Sequence, residues 1–335
     1  MFVKGFSVLM LGLIAVGCEK SETTGTSAAT RPSGSGSASG AAKSIAVIPK
    51  GTTHVFWKTV EAGARKASEE LGVNMIWKGP LKEDDRAEQI KVVEQFVSEG
   101  VAGICLAPLD TEALARPVKS ATGRKIPVVI FDSSLAGEPG KDFASYVATN
   151  NTKGGEMAGE QLVKLLGGKG KVVLLRYSVG SGSTTEREDG FLKAVKAGGG
   201  IEMLSDNRYG GATVASAKAE AMKLVDQLKQ ADAVFCPNES STLGMLGALR
   251  DNGLAGKIKF VGFDATPPLL EALQKGEIQA LVAQDPSRMG YLAVKTCVAA
   301  LNGEKVEAVV DTGVRLITPQ SLKDPEVRKF LNLDQ

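Results

Sequence analysis

The chain has 335 residues, with 40 Lys+Arg against 38 Asp+Glu and a formal net charge of +2. A nearly balanced charge gives no electrostatic footprint for nucleic acid, and none is expected as a partner. The 43% hydrophobic content is ordinary, and after residue 17 no apolar run is long enough to cross a bilayer.

The N-terminus has its own logic. Lys4 supplies a positive charge, Val8–Val16 is a short apolar stretch, and Ala15-Val16-Gly17 are small residues before Cys18. This layout predicts a secretory signal over 1–17 whose removal leaves Cys18 first in the mature chain. Such a cysteine looks like the lipid-attachment site of a bacterial lipoprotein, with Ala15 where Leu is usual. The rival is a membrane anchor helix, for which the run is short of the ~20 residues required. Residues 18–43 are rich in Ser, Gly, Thr and Ala. They form a flexible tether with a random-coil reach of roughly 25–30 Å. The expected address is the periplasm or cell surface, held to a membrane through lipid on Cys18.

Roughly 290 residues remain, enough for two domains with separate cores. SIAVIPK (44–50) predicts a strand, 55–72 a helix closed by Gly72, 73–79 a strand, and 86–100 a helix closed by Gly100. A strand at 102–108, a helix over 114–122 and a strand at 126–132 follow. The alternation restarts after YVATNN (146–151): helix over 154–168, strand 170–177, helix 186–200, strand 201–207, helix 217–230. AVFCPN, LGMLGALRDNG and KFVGFDA then read as strand, helix and strand. Strands apolar on both faces belong in parallel sheets covered by helices. The fold class is therefore α/β, two doubly wound Rossmann-like lobes with parallel sheets and a cleft between them.

Cys105, Cys236 and Cys297 lie in apolar contexts and read as small buried hydrophobes. An odd number cannot all pair internally; a Cys105–Cys236 bridge is the weaker alternative. There is no zinc-ligand spacing, nucleophile elbow or phosphate-cradling loop, and GGKGK (167–171) lacks the Ser/Thr of a Walker motif. No metal or cofactor is expected.

Polar residues cluster at strand ends: Lys50, Asp132, Asn238, Asp264 and Gln284. In open α/β sheets such positions converge on one crevice. Arg187, flanked by Glu186 and Glu188 at what reads as a helix start, can reach the same place. The two glutamates themselves read as a charged helix N-terminus, and KEDDRAE (82–88) as a solvated loop and first helical turn.

From Ser44 to about Thr318 the chain resembles the ribose-type periplasmic binding proteins that serve sugar ABC transporters. The resemblance rests on eight segments: IAVIPKGTTHVFWKTVEAGA, VVIFDSS, ATNNTKGGEMAG, TTEREDGF, AVFCPNESSTLGMLGAL, VGFDATPP, VAQDPSRMGYLAV and LNGEKV. It implies a three-strand hinge with crossings near Thr149, Gln284 and Gly313. The first lobe is then 44–149 plus 285–313, and the second 150–284 plus 314–325. It also implies ligand contacts from Asp132, Arg187, Asn238, Asp264 and Gln284, with Phe56 and Trp57 flanking a sugar ring and Tyr209 near a second-lobe aromatic position. Carboxylates and amides suit hydroxyls that donate and accept, and aromatic faces cover the C–H side of the ring.

Three positions depart from the ribose pattern. Lys50 replaces a small polar residue, His54 an asparagine, and Ser133 an arginine. Lys50 in its IPK context, with WKGP (77–80), looks more like the branch that binds autoinducer-2 or rhamnose. Lys50 with Arg187 would favour an acidic or phosphorylated ligand unless Asp132 and Asp264 neutralise them. The expectation is a monomeric, non-catalytic protein that closes over a carbohydrate or polyol and delivers it to an ABC transporter permease. The alternatives are a sensor presenting its closed form to a membrane receptor, a glycosidase using Asp132 and Asp264, and a repressor's ligand domain, which the export signal disfavours.

Overall fold

A computed structural model describes residues 43–333. Cys18 and all but the last residue of the tether lie outside the described residues. In chain order the elements are β1 (Ser44–Ile48), α1 (Val55–Glu70), β2 (Asn74–Trp77), α2 (Arg86–Glu99), β3 (Gly103–Leu106), α3 (Ala115–Gly123), β4 (Val128–Phe131) and β5 (Ser145–Ala148). Then come α4 (Asn151–Leu165), β6 (Gly170–Arg176), α5 (Gly182–Ala197), β7 (Ile201–Tyr209), α6 (Val214–Met222), α7 (Val225–Leu228), β8 (Ala233–Phe235) and α8 (Glu239–Asp251). The remainder is β9 (Lys259–Phe263), α9 (Pro267–Gln274), β10 (Ala280–Gln284), α10 (Pro286–Leu301), β11 (Val309–Asp311), β12 (Val314–Ile317) and α11 (Pro325–Phe330).

Two six-stranded sheets result, ordered β2-β1-β3-β4-β5-β11 and β7-β6-β8-β9-β10-β12. Each reverses direction beside its first strand, which places a topological switch point at the carboxyl ends of β1 and β3, and of β6 and β8. The first sheet is parallel throughout. In the second, β12 runs antiparallel to β10, a departure from the expected all-parallel arrangement. The chain enters β12 straight from β11 through a two-residue link, too short for the helical crossover that a parallel strand needs.

Strand periodicity explains the double-sided cores. On β1, Ile45 and Val47 join one apolar cluster, whereas Ala46 and Ile48 join the opposite one. On β6, Val173 and Leu175 face one layer and Val172 and Leu174 the other. Cys105 and Cys236 belong to the cores of different sheets, so they do not meet. All three described cysteines are buried and free.

The chain passes between sheets three times: from β5 to α4, from β10 to α10, and from β11 to β12. Helix α10 returns to pack on α1, β3, β4 and β5. Its approach to α1 is set by Gly63, where a Cβ would lie 1.9 Å from the Ser287 carbonyl oxygen. Gly155 does the same for α4 against α5, with a Cβ 2.0 Å from the Arg187 oxygen. Any larger residue would drive either pair apart.

Two helices differ from expectation. The SGSTT run looks like a loop, yet α5 begins at Gly182, so Arg187 sits in its second turn and not at its start. The periodic stretch 217–230 is broken into α6 and α7. Thr213 and Ser216 cap the first reciprocally, which moves its start back to Val214.

Candidate ligand-binding site

The carboxyl ends of both sheets face one cavity. It is lined by Lys50, His54, Phe56, Trp57 and Asp132 from the first lobe, by Arg187, Asn238 and Asp264 from the second, and by Gln284 at a crossing. The empty space they border is about 330 Å³ with the open mouth counted.

Asp132 and Asp264 follow β4 and β9 directly, and both adopt the left-handed conformation, with φ of 63° and 71°. Non-glycine residues are held there only where surrounding contacts over-determine them. Asp132 Oδ2 lies 3.0 Å from Lys50 Nζ, and Lys50 also donates to Ser183 Oγ across the cleft at 3.0 Å. Lys50 is only 3% exposed; the pair is what allows an ammonium in that position. Asp264 accepts from the Glu239 N–H at 2.7 Å and from Gln284 Nε2 at 2.7 Å. Burial pushes its carboxyl up, against the pull of Arg187 and of those two donors.

Gln284 ties the crossing together. Its Oε1 accepts from Thr149 Oγ1 at 2.9 Å and from Arg187 Nη2 at 2.8 Å. Arg187 also donates to Asn151 Oδ1 (2.9 Å) and to the Pro237 carbonyl (3.0 Å), with its guanidinium 4.0 Å from the Phe263 ring centroid. Its planar fork is thus fixed by four partners. Asn238 lines the cavity and also caps α8, with Oδ1 accepting from the Ser241 N–H at 3.1 Å. Phe56 and Trp57 stand edge to face, with centroids 5.0 Å apart, and both border the cavity.

Two predicted residues are not brought in. Ser133 is buried behind the wall, where its Oγ accepts from the Ser183 N–H of the other lobe at 3.0 Å. Tyr209 ends the edge strand β7, is 40% exposed, and stacks under Arg176 instead. Its position at the end of an outer strand leaves it beyond the crevice.

Five cavity residues were not anticipated: Glu83, Tyr177, Ser183, Thr184 and Glu239. Tyr177 follows β6 and could have been found by the strand-end rule. Glu239 is hidden beside the Asn238 cap, and Ser183 and Thr184 within the Ser/Gly run. Glu83 is a correction to the solvated reading of 82–88, because it turns inward and pairs with His54 Nδ1 at 2.8 Å. Glu188 is likewise no surface helix-end charge; it is buried and accepts from the Tyr177 N–H and Arg176 Nη1, both at 2.9 Å.

Burial would lower the His54 pKa, but the Glu83 hydrogen bond and charge, aided by Glu239 and Asp264, raise it to about 9. Burial pushes Glu239 up to about 7, and the Asp264 charge adds to the shift. Glu239 Oε2 accepts the Phe56 N–H at 3.2 Å across the cleft. It thereby satisfies an otherwise orphaned donor at the N-terminus of α1.

The periplasmic binding protein domain model matches residues 45–305. The ribose import binding protein RbsB of Salmonella typhimurium is 30% identical over 280 residues, covering 82% of this chain and 90% of that protein. A carbohydrate transporter solute-binding protein from Agrobacterium radiobacter, solved in complex with D-arabinose, is 35% identical with a TM-score of 0.83. That match covers 88% of this chain and all of the other (100%). An ABC transporter solute-binding protein from Agrobacterium vitis with bound D-fucose is 34% identical, with a TM-score of 0.82 and coverage of 85% and 98%. With the family model spanning most of the chain and a ribose-binding relative 30% identical over 82% of it, the chain belongs to the periplasmic binding protein family, in its ribose-type branch.

Proposed function

We propose that this chain is an extracytoplasmic receptor that captures a neutral monosaccharide between its lobes and hands it to an ABC transporter permease. The observation that carries the reading is that every cavity cation already has internal partners, two of them in ion pairs. Lys50 is matched by Asp132, His54 by Glu83, and Arg187 is spent on Asn151, Pro237 and Gln284 with Asp264 nearby. An acidic or phosphorylated ligand would have to break one of these buried pairs, at a cost that disfavours it. A neutral polyol needs only the unused lone pairs and N–H groups at their edges. Two of the relatives solved with bound sugars hold a pentose and a deoxyhexose, and those classes head the candidates.

Seven cavity residues are the proposed contacts on one or the other side: Lys50, His54, Trp57, Asp132, Arg187, Asn238 and Asp264, with Phe56 stacking and Gln284 at the hinge. The lobes, divided at the three crossings, close because ligand bridges them and so binds the closed state better. Asp132 and Asp264 are committed to Lys50 and to Gln284 and the Glu239 amide, which disfavours a glycosidase pair, so bound sugar leaves unchanged. Cys18, as a lipid anchor, would keep the receptor within leash length of its permease.

The test is a thermal-shift and calorimetric screen of pentoses, hexoses, deoxy-sugars, sugar acids, sugar phosphates and autoinducer-2. The expected result is stabilisation by a neutral pentose or deoxyhexose. Stabilisation by a sugar phosphate or an amino acid alone would overturn the reading.

A further inference from the structure

We propose that Glu83 is a positioning residue that couples the ligand-facing wall of the first lobe to closure onto Tyr177 of the second. This rests on the reading of the cleft as a sugar site.

The loop between β2 and α2 is built onto the segment before α1. The Thr52 N–H and the Thr53 hydroxyl both donate to the Leu81 carbonyl, at 3.4 and 3.1 Å, and the Thr52 hydroxyl to that of Pro80 at 3.4 Å. Glu83 then packs over Gly51, where an added Cβ would come within 3.0 Å of the Glu83 Cγ. These contacts fix where the carboxylate sits, with its side chain 8% exposed.

Three donors converge on it. Oε1 accepts from Trp57 Nε1 at 2.6 Å and pairs with His54 Nδ1 at 2.8 Å; Oε2 accepts from the Tyr177 hydroxyl at 2.5 Å. Trp57 and His54 line the cavity from the first lobe. Tyr177 belongs to the second lobe and is itself immobilised, because its N–H is held by Glu188 and Glu188 by Arg176. One carboxylate therefore receives both the side chains a ligand would touch and the group that arrives on closing. A hydrogen bond to a charged acceptor is about twice as strong as a neutral one. The acceptor stays charged: burial would raise Glu83, but His54, Lys50 and Tyr177 hold it at about 2.

The chain has one histidine and two tryptophans, Trp57 and Trp77, which gives two clean reporters. Proton NMR of His54 in the ligand-free protein should show its titration, near 9 in the wild type, fall by more than a hundredfold in proton affinity in Glu83→Gln. In a Trp77→Phe background, Trp57 emission should shift in Glu83→Gln and stay in place in Tyr177→Phe. Stopped-flow release of D-arabinose, or of whichever panel sugar binds the wild type, should speed up roughly tenfold in Tyr177→Phe. Release within twofold of wild type would overturn the coupling to closure. An unchanged His54 titration in Glu83→Gln would overturn the positioning role. A panel on which no sugar binds the wild type overturns the sugar reading and the closure half with it, while the His54 titration still decides the other half.

Discussion

Lys50 and Asp132 form an ion pair at the carboxyl ends of two strands separated by β3, and each is the reason the other can be buried. The ammonium reaches over the cleft to Ser183 of the second lobe, so the pair is at once a site wall and a lobe contact. Asp132 reaches it from a left-handed backbone, a conformation retained by the hydrogen bond from its N–H to the Val147 oxygen at 3.1 Å.

Removing one partner should cost more than removing both. Lys50→Met leaves a buried carboxylate unpaired, with an expected loss of about 3–5 kcal/mol. The double variant Lys50→Met/Asp132→Asn should recover a large part of that loss. Chemical denaturation of the four proteins in a double-mutant cycle measures it, and additive losses would contradict the pairing.

Asp264→Asn should keep the fold, because asparagine tolerates the left-handed region and its one carbonyl oxygen still accepts from either Gln284 or the Glu239 amide, though no longer from both. Its sugar affinity should drop on the order of tenfold as a charge-assisted contact is lost. Asp264→Ala adds backbone strain and should lower the melting temperature as well. Calorimetry and thermal melts separate the two effects.

Tyr209→Ala should leave sugar affinity within twofold of wild type, since the side chain lies on the exposed edge of β7 under Arg176. A larger loss, read by the same titration, would mean that the cleft extends to that edge.

Stability should peak at mildly acidic pH. Glu239 has a folded-state pKa of about 7 against 4.5 when free. The folded protein thus binds the extra proton, and stability falls as pH rises from 4.5 to 7, by on the order of 3 kcal/mol. His54 has a folded-state pKa of about 9 against 6.5. Its contribution is complete below 6.5 and is lost as pH rises to 9. Glu83, lowered from 4.5 to about 2, contributes above 4.5 and loses that contribution as pH falls towards 2. Melting temperatures across pH 3–9 should reach their maximum at about pH 4.5, where Glu83 is ionised and Glu239 and His54 still hold their protons. Glu239→Gln should flatten the slope from 4.5 to 7, and His54→Gln the decline above 6.5.

The fold was legible because its signals are local and repeated. Apolar runs such as SIAVI and KVVLLR, set between amphipathic helices, can only be strands buried on both faces. The segments that carry the family resemblance place Lys50, Asp132, Asn238, Asp264 and Gln284 at strand ends, and all five line the cavity. What sequence order alone could not decide was which side of a loop a charge takes. Glu83 sits among Lys82, Asp84 and Asp85, all exposed, and nothing in that run marks the one that turns inward. Only the position of Gly51 beneath it, Trp57 and His54 beside it, and Tyr177 across the cleft make burial of that carboxylate favourable. The same holds for charge. The residues carry the cations needed for an acidic ligand, and the tertiary structure gives each of them internal partners, Lys50 and His54 in ion pairs and Arg187 in hydrogen bonds, at distances that strand order and lobe contact set. Composition and pattern thus determined the two-lobed frame and the rim from which its site is built, while only the tertiary structure decided which of its charges meet inside the cleft and which stay at the surface.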